Sequence, residues 1–428
     1  MSGLTAASSS PASPAGSPPG TDRRDIGLLF ATRVLRMFGY GFLAVVLVLY
    51  LSAIGLSGAE TGLLLGLTLL GDAAVSLWLT THADKIGRRR VLLAGAVLML
   101  GAGVAFTATS LLPVLLVAAT LGVISPSGNE VGPFLAVEQA SLSQLVPDKQ
   151  RTQLFAWYQL AGSFATAAGT LTGGAIAQAA MSGGSLPADA YRVVIIGYAL
   201  VGIALGALFL LVSPRVEVPP ANVRDETVRN RLGLHRSKGV VLRLSMLFAL
   251  DAFAGGFAIQ SFIAFWFNQR YGVDPVMLGT ILAGANILAG FSALAAGRLA
   301  ARFGLVNTMV FTHLPSNVLL ALVPFMPTLQ LAVIVLFARF AISQMDVPTR
   351  QSYTMAIVAP DERSAAAGVT GIARSLGVAA APLIAGPLFA TAALASLPFV
   401  ISGGLKIVYD LLLYRSFRRM PPPEERAP

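Results

Sequence analysis

Beyond residue 25 the chain is a succession of apolar stretches separated by short polar breaks. A helix rises 1.5 Å per residue, so about 20 apolar residues cross the ~30 Å hydrocarbon core of a bilayer. Stretches of roughly that length fall at 28–51, 58–80, 91–110, 112–142, 154–180, 193–212, 241–267, 276–297, 306–325, 329–357, 365–391 and 398–414. They predict an all-α membrane protein with twelve transmembrane helices. Composition agrees. Of the 428 residues 55% are hydrophobic and only 12% charged, against about 25% charged in a soluble domain. Mean hydropathy is +0.74. The outside of such a chain needs an apolar solvent, so its first partner is the lipid bilayer.

Several chemistries are excluded at once. There is no Cys, and the three His (His82, His235 and His313) are far apart. Thiolate chemistry is absent and a His-rich metal site is not expected. No Gly-x-x-x-x-Gly-Lys-Ser/Thr loop occurs, so a bound nucleotide is not the energy source. No cofactor and no metal are expected.

Residues 1–25 are Ser, Pro, Ala and Gly with almost no large apolar side chain, a composition that predicts a disordered tail. A polar stretch at 214–239 divides the rest into 26–213 and 240–417, each with six spans, followed by a short tail at 418–428. The net charge of +10 would point to nucleic acid in a soluble protein. Here the basic residues sit in one set of loops, including Arg88–Arg90, the central stretch and Arg415–Arg419. The opposite loops carry only Arg192 and Arg270. The positive-inside rule puts the basic loops and both termini in the cytoplasm, with no role for nucleic acid. An Arg-rich, Ala/Gly-rich chain of this kind is expected in a bacterial inner membrane, as a monomer.

The halves look duplicated. Arg36–Phe42 (RMFGYGF) matches Asp251–Phe257 (DAFAGGF) at an offset of 215, and Pro147-Asp148 matches Pro360-Asp361 at 213. Gly173 matches Gly386 at the same 213. Parallel repeats about an axis along the membrane normal belong to one large transporter architecture, two pseudo-symmetric six-helix bundles.

After the second span the chain reads Asp84-Lys85-Ile86-Gly87-Arg88-Arg89-Arg90. This resembles the loop motif of the major facilitator superfamily, with Thr80 where the family has its leading Gly. The resemblance implies the major facilitator fold and a conformational lock formed by Asp84, Gly87, Arg88, Arg89 and Arg90, in which Asp84 meets the N-terminal end of the eleventh span. A role as topological anchors alone is the alternative. Gly169-Thr170-Leu171-Thr172-Gly173-Gly174 resembles the Gly-Pro-x-x-Gly-Gly of the family's proton-coupled exporters, with Thr170 in place of Pro. Close helix packing through Gly169, Gly173 and Gly174 explains the same residues.

Ionisable residues inside spans are costly and so are functional candidates. Arg36 lies about 16 Å into the first span and Glu138 about 13 Å into the fourth, a depth that favours a pair. Asp251 aligns with Arg36, and Arg350 lies one position from the partner of Glu138, so the second half is expected to hold the same pair with signs exchanged. Such pairs are structural or functional; sequence leaves both open. Lys406 and Asp410, at i and i+4, are expected to pair with each other. Span four is interrupted by Ser125-Pro126-Ser127-Gly128-Asn129-Glu130-Val131-Gly132-Pro133. This break frees backbone carbonyls, as a cavity lining or as a packing kink. Asn129, Glu130, Gln344 and Asp346 are the polar cavity candidates.

The expected function is secondary active transport of a small organic solute by alternating access, driven by protons and directed outward as an antiporter. The alternative is proton-coupled uptake of a small anion, which Arg36, Arg339, Arg350 and Arg374 would neutralise. Gly290-Phe291-Ser292-Ala293 with His313 faintly resembles a serine–histidine intramembrane protease. An enzyme of that kind and a non-transporting sensor are the remaining readings, and neither explains a duplication. The charge bias makes one prediction directly. Reporter fusions at the C-terminus and within the loop 183–189 will report opposite sides of the membrane; the same side for both refutes the topology.

Overall fold

The computed structural model describes residues 19–146, 148–217, 236–359, 362–420 and 422, and in them regular structure is helical throughout. Of the expected terminal tails and linker, 1–18, most of the central stretch and most of 421–428 lie outside the described residues.

In the first half the helices are α1 (Pro19–Ala44), α2 (Leu47–Ala53), α3 (Gly58–Ile86), α4 (Arg88–Ala108), α5 (Leu112–Leu121), α6 (Phe134–Leu145), α7 (Asp148–Ser182) and α8 (Pro187–Leu211). In the second half they are α9 (Lys238–Gly256), α10 (Gln260–Tyr271), α11 (Pro275–Phe303), α12 (Leu305–Leu322), α13 (Leu329–Ser343), α14 (Asp346–Ile357), α15 (Arg363–Ala390) and α16 (Leu397–Phe417). Ten segments among the described residues are long and apolar enough to cross a membrane. They include the broken pairs 23–53, 238–271 and 329–357. The other two expected spans take different forms. Residues 112–142 fold as short α5, twelve unwound residues and α6; residues 154–180 lie within the 35-residue α7, rich in Ala, Gly and Thr.

The breaks recur. Expected spans one, four, seven and ten are each two helices, split at 45–46, 122–133, 257–259 and 344–345. The repeated RMFGYGF and DAFAGGF stretches lead into the first and third of these breaks, and their glycines do the same work. A Cβ on Gly41 would lie 2.2 Å from the Thr166 carbonyl oxygen of α7, and one on Gly256 would lie 2.6 Å from the Val378 carbonyl oxygen of α15. Helix backbones therefore touch where a side chain would hold them apart.

The helix starts explain the loops. Ser57 caps α3, its hydroxyl accepting from Glu60 N–H at 3.3 Å while Glu60 accepts from Ser57 N–H at 2.8 Å. Asp274 caps α11 through Met277 N–H at 2.7 Å, and Pro stands in the first turn of α5, α8, α11 and α16. These starts lie at the end of the molecule away from Pro19 and Phe417, called here the distal end. There the two halves close on each other. Gly58 and Gly62 of α3 press on Gly386, Ala390 and Pro382 of α15, and Gly174 of α7 presses on Pro275 of α11. Large side chains such as Leu186, Val97, Trp157 and Ile334 stay more than half exposed on the outer faces, where lipid covers them.

Gly41→Val and Gly256→Val will each overpack a helix contact and lower stability by about 1–3 kcal/mol, read as an earlier thermal transition in detergent. Gly101→Ala, with nothing within 4 Å of its Cβ, will leave the transition unchanged.

Candidate functional site

Two charge clusters occupy the interior, one in each half. In the first, Arg33 and Arg36 sit one helical turn apart on the same face of α1. Arg36 forms a two-pronged contact with Glu138 of α6, Nη1 to Oε1 at 2.9 Å and Nη2 to Oε2 at 2.7 Å, and both side chains are fully buried. This planar fork is the geometry that guanidinium and carboxylate share. Its Nε donates to Glu130 Oε1 at 2.8 Å. Arg33 also pairs with Glu130 and donates to Gln159 of α7 at 3.0 Å. Thr32 Oγ1 donates to Glu138 at 2.8 Å, and the Tyr158 hydroxyl donates to it as well. The Arg36 guanidinium lies over Phe134, and that of Arg33 over Tyr158. Two cations thus meet two carboxylates.

The second cluster centres on Asp251 of α9. Lys406 Nζ of α16 donates to Oδ1 at 2.5 Å; Arg350 of α14 and Arg374 of α15 approach Oδ2 at 3.1 and 3.4 Å. Arg350 also reaches Asp346 at 3.0 Å. His313 of α12 lies with Nδ1 2.9 Å from Asp410 and Nε2 4.0 Å from Asp251. Asn317, one turn on, donates to Asp410 at 2.8 Å. The expected pairing of Lys406 with Asp410 is therefore corrected: each turns to a neighbouring helix. Asp251, facing three cations in a buried site, draws the lysine away from its own-helix neighbour. Arg339 of α13 faces this group too, with a buried Nε that has no hydrogen-bond partner.

The Arg36–Glu138 and Asp251–Arg350 contacts are those expected, and Glu130 and Asp346 join them. Asn129 and Gln344 do not. Asn129 is exposed, and Gln344 is half-buried at the α13–α14 break with its N–H on Ser292 Oγ at 3.2 Å. Ser292 and His313 are thus engaged separately, and no serine–histidine pair forms.

The loop motif makes contacts of its own. The side chain of Asp84 lies outside the described residues. Gly87 takes φ +105°, a conformation that favours glycine. It turns the N–H groups of Arg88 and Arg89 onto Glu217, at 2.6 and 3.0 Å. Glu217 therefore serves the positive N-terminus of α4. Arg89 Nε binds the Phe209 carbonyl at 3.1 Å and Arg88 Nη1 that of Val216 at 3.2 Å, near the end of α8; Arg90 stays exposed. Glu362 does for Arg236 and Ser237, ahead of α9, what Glu217 does for α4, at 2.7 and 2.8 Å. Sequence reading missed both acids, which stand in or beside basic stretches. Gly169 and Gly173 press on the α1 backbone at Phe38 and Phe42, so close packing accounts for them.

Residues 29–382 and, in an overlapping match, 252–428 match the Major Facilitator Superfamily. The uncharacterized membrane protein YJR124C of Saccharomyces cerevisiae is 30% identical over 419 residues, covering 91% of this chain and 93% of the yeast protein. Among solved structures, an inward-facing bacterial homolog of the human lysosomal transporter Spinster shares the fold with TM-score 0.71 at 16% identity, over 95% of this chain and 99% of that one. The D-xylose–proton symporter does so with TM-score 0.70 at 17% identity, over 91% and 97%. The nucleoside transporter NupG does so with TM-score 0.70 at 13% identity, over 92% and 99%. With an all-α multi-pass fold and this match over most of its length, the chain belongs to the Major Facilitator Superfamily and is a secondary transporter working by alternating access, not an enzyme.

Proposed function

We propose that this transporter takes up a small anionic organic solute together with protons. Twelve spans form two six-helix bundles, 26–213 and 240–417, that rock about a central site. Arg33, Arg36, Glu130 and Glu138 hold one bundle's side of that site, and Asp251, Asp346, Arg350 and Arg374 hold the other. The membrane is the bacterial inner membrane, with both termini cytoplasmic, so the closed distal end faces outward. The loop Asp84–Arg90 acts as the cytoplasmic lock.

The observation that carries the choice of an anion is the charge balance. The first cluster is neutral, two arginines against two glutamates. The second sets Lys406, Arg350, Arg374 and Arg339 against Asp251, Asp346 and Asp410. The surplus is positive, and it falls on Arg374 and Arg339. The Arg374 side chain is 37% exposed with one 3.4 Å contact, and Arg339 keeps an unpartnered Nε. A desolvated cation without a full counter-charge is costly in an apolar surround, and an anionic solute supplies the missing charge. Among structures of the same fold are the human organic anion transporter MFSD10, whose name gives the substrate charge proposed here, and the D-xylose–proton symporter, whose name gives the coupling. Packing contacts account for the glycines that had favoured export.

Proteoliposomes made acidic outside will accumulate labelled carboxylate or phosphate-bearing solutes above equilibrium, and a protonophore will abolish the accumulation. Arg374→Gln will lower uptake kcat/KM at least tenfold while the protein stays monodisperse. Exclusive transport of neutral or cationic compounds, or accumulation only with the opposite gradient, refutes the reading.

The paired charges call for a second measurement. Arg36→Met and Glu138→Gln will each cost about 3–5 kcal/mol by stranding the other charge, and the double variant will cost less than their sum. Under the proposed role the double variant folds but does not transport. Recovery of both stability and transport makes the pair purely structural.

A further inference from the structure

One intramembrane carboxylate stands apart from both clusters. Asp72 is the central residue of α3, fourteen residues from either end of that helix. Glu130, Glu138, Asp251, Asp346 and Asp410 each lie within 4 Å of Arg, Lys or His. Asp72 has no such partner among the described residues. It accepts the Gly132 backbone N–H at 2.6 Å and the Ser76 hydroxyl at 3.2 Å.

The charged groups of the surrounding helices are engaged elsewhere. Arg374 on α15 goes to Asp251 and Glu138 on α6 to Arg36, while Arg88–Arg90 sit at the far start of α4. Neither α2 nor α5 carries a charge. The phenols of Tyr40 on α1 and Tyr198 on α8 lie near enough to feel the carboxylate, and both donate to main-chain carbonyls. A carboxylate at mid-span without a cation is expensive when ionised and cheap when protonated.

Its bond to Gly132 links that choice to movement. Gly132, at φ +81°, closes the unwound segment 122–133, two residues after the ion-paired Glu130. The opposite half docks on the same segment. Ser261 N–H at the start of α10 donates to Pro126 O at 3.1 Å, and the Ser261 hydroxyl lies 2.7 Å from Pro126 O and 2.8 Å from Ala44 O. Gln260 packs against Gly128. This contact ties the two halves together in the conformation with the distal end closed.

We propose that Asp72 is the proton-binding carboxylate of this transporter, and that its protonation releases the 122–133 segment from α10 and opens the distal end. The inference rests on the proton coupling proposed above. The chemistry is a single proton transfer. One carboxylate oxygen gains an O–H bond, and the charge-assisted bond from Gly132 N–H becomes a weaker neutral one. No other group changes charge.

The test uses the full chain, which has no native Cys, with spin labels at Ala59→Cys and Ala392→Cys. Both positions are exposed, one at the start of α3 and one just past the end of α15. Inter-label distances are recorded in lipid nanodiscs between pH 5 and 8.5. The wild-type background will show a separated population that grows at least threefold on acidification. Asp72→Asn will give one distribution at every pH, matching wild type at pH 5. Asp72→Glu will restore the dependence with a shifted midpoint. Wild-type distances that ignore pH overturn the proton coupling itself, and this inference with it. A pH response that persists in Asp72→Asn, or an unshifted midpoint in Asp72→Glu should Asp72→Asn fail to fold, overturns the assignment to Asp72 alone.

Discussion

A charge inside an apolar slab has to be answered by another charge, and the interior of this protein is arranged around that requirement. Arg36 shows the strictest form. Its guanidinium is fully buried, yet Glu138, Glu130 and the face of Phe134 meet it on every side. Removing an ion pair of this kind for well-packed apolar residues is often neutral or stabilising, while removing half of it is severe. The pair therefore matters most through what either partner would become alone, a charge stranded in an apolar surround. The same requirement shapes the other half, where Asp251 gathers Lys406, Arg350 and Arg374 from three different helices. Helices that would otherwise meet only through apolar contacts are tied at defined points.

Backbone polar groups obey the same rule, and it dictates where helices break. Irregular backbone at membrane depth survives only where its N–H and C=O groups find partners in the protein or in a water-filled path. The four split spans are the first and fourth of each half, and each brings an ion-paired residue close to its break or into the helix beside it. At Glu130, inside one break, and Asp346, just past another, the side chain enters from a direction a continuous helix would not permit.

Much of this was legible in the sequence, and what was not has physical causes. Depth from the helix ends places Arg36 beside Glu138, because rise per residue is fixed. The Pro and Gly of 125–133 show the break in the fourth span. The break at 45–46 has no such mark: Val45 and Val46 are ordinary helix residues, and the split there depends on tertiary contacts such as the one between Ala44 and Ser261. Lys406 and Asp410 misled because the i, i+4 rule describes an isolated helix, whereas in the bundle each side chain faces a needier partner. His313 stood out in the sequence only through a faint serine–histidine pattern, which pointed to the wrong neighbour. Its neighbours Asp251 and Asp410 come from α9 and α16, which only the fold brings together.

The two halves share a plan but divide its consequences. The α13–α14 break spans two residues and opens into a crowd of cations, so its surroundings are rich in charge and poor in backbone exchange. The α5–α6 break spans twelve residues whose polar groups are served by Tyr40, Asp72, Tyr198 and Ser261, from four helices. A segment bound from four directions cannot shift without disturbing all four. It couples the packing of α1, α3 and α8 in one half to α10 in the other. The two breaks stand at matching places in the halves; charge crowds the one in the second half, while the one in the first, which also carries the ion-paired Glu130, is laced by hydrogen bonds from four helices.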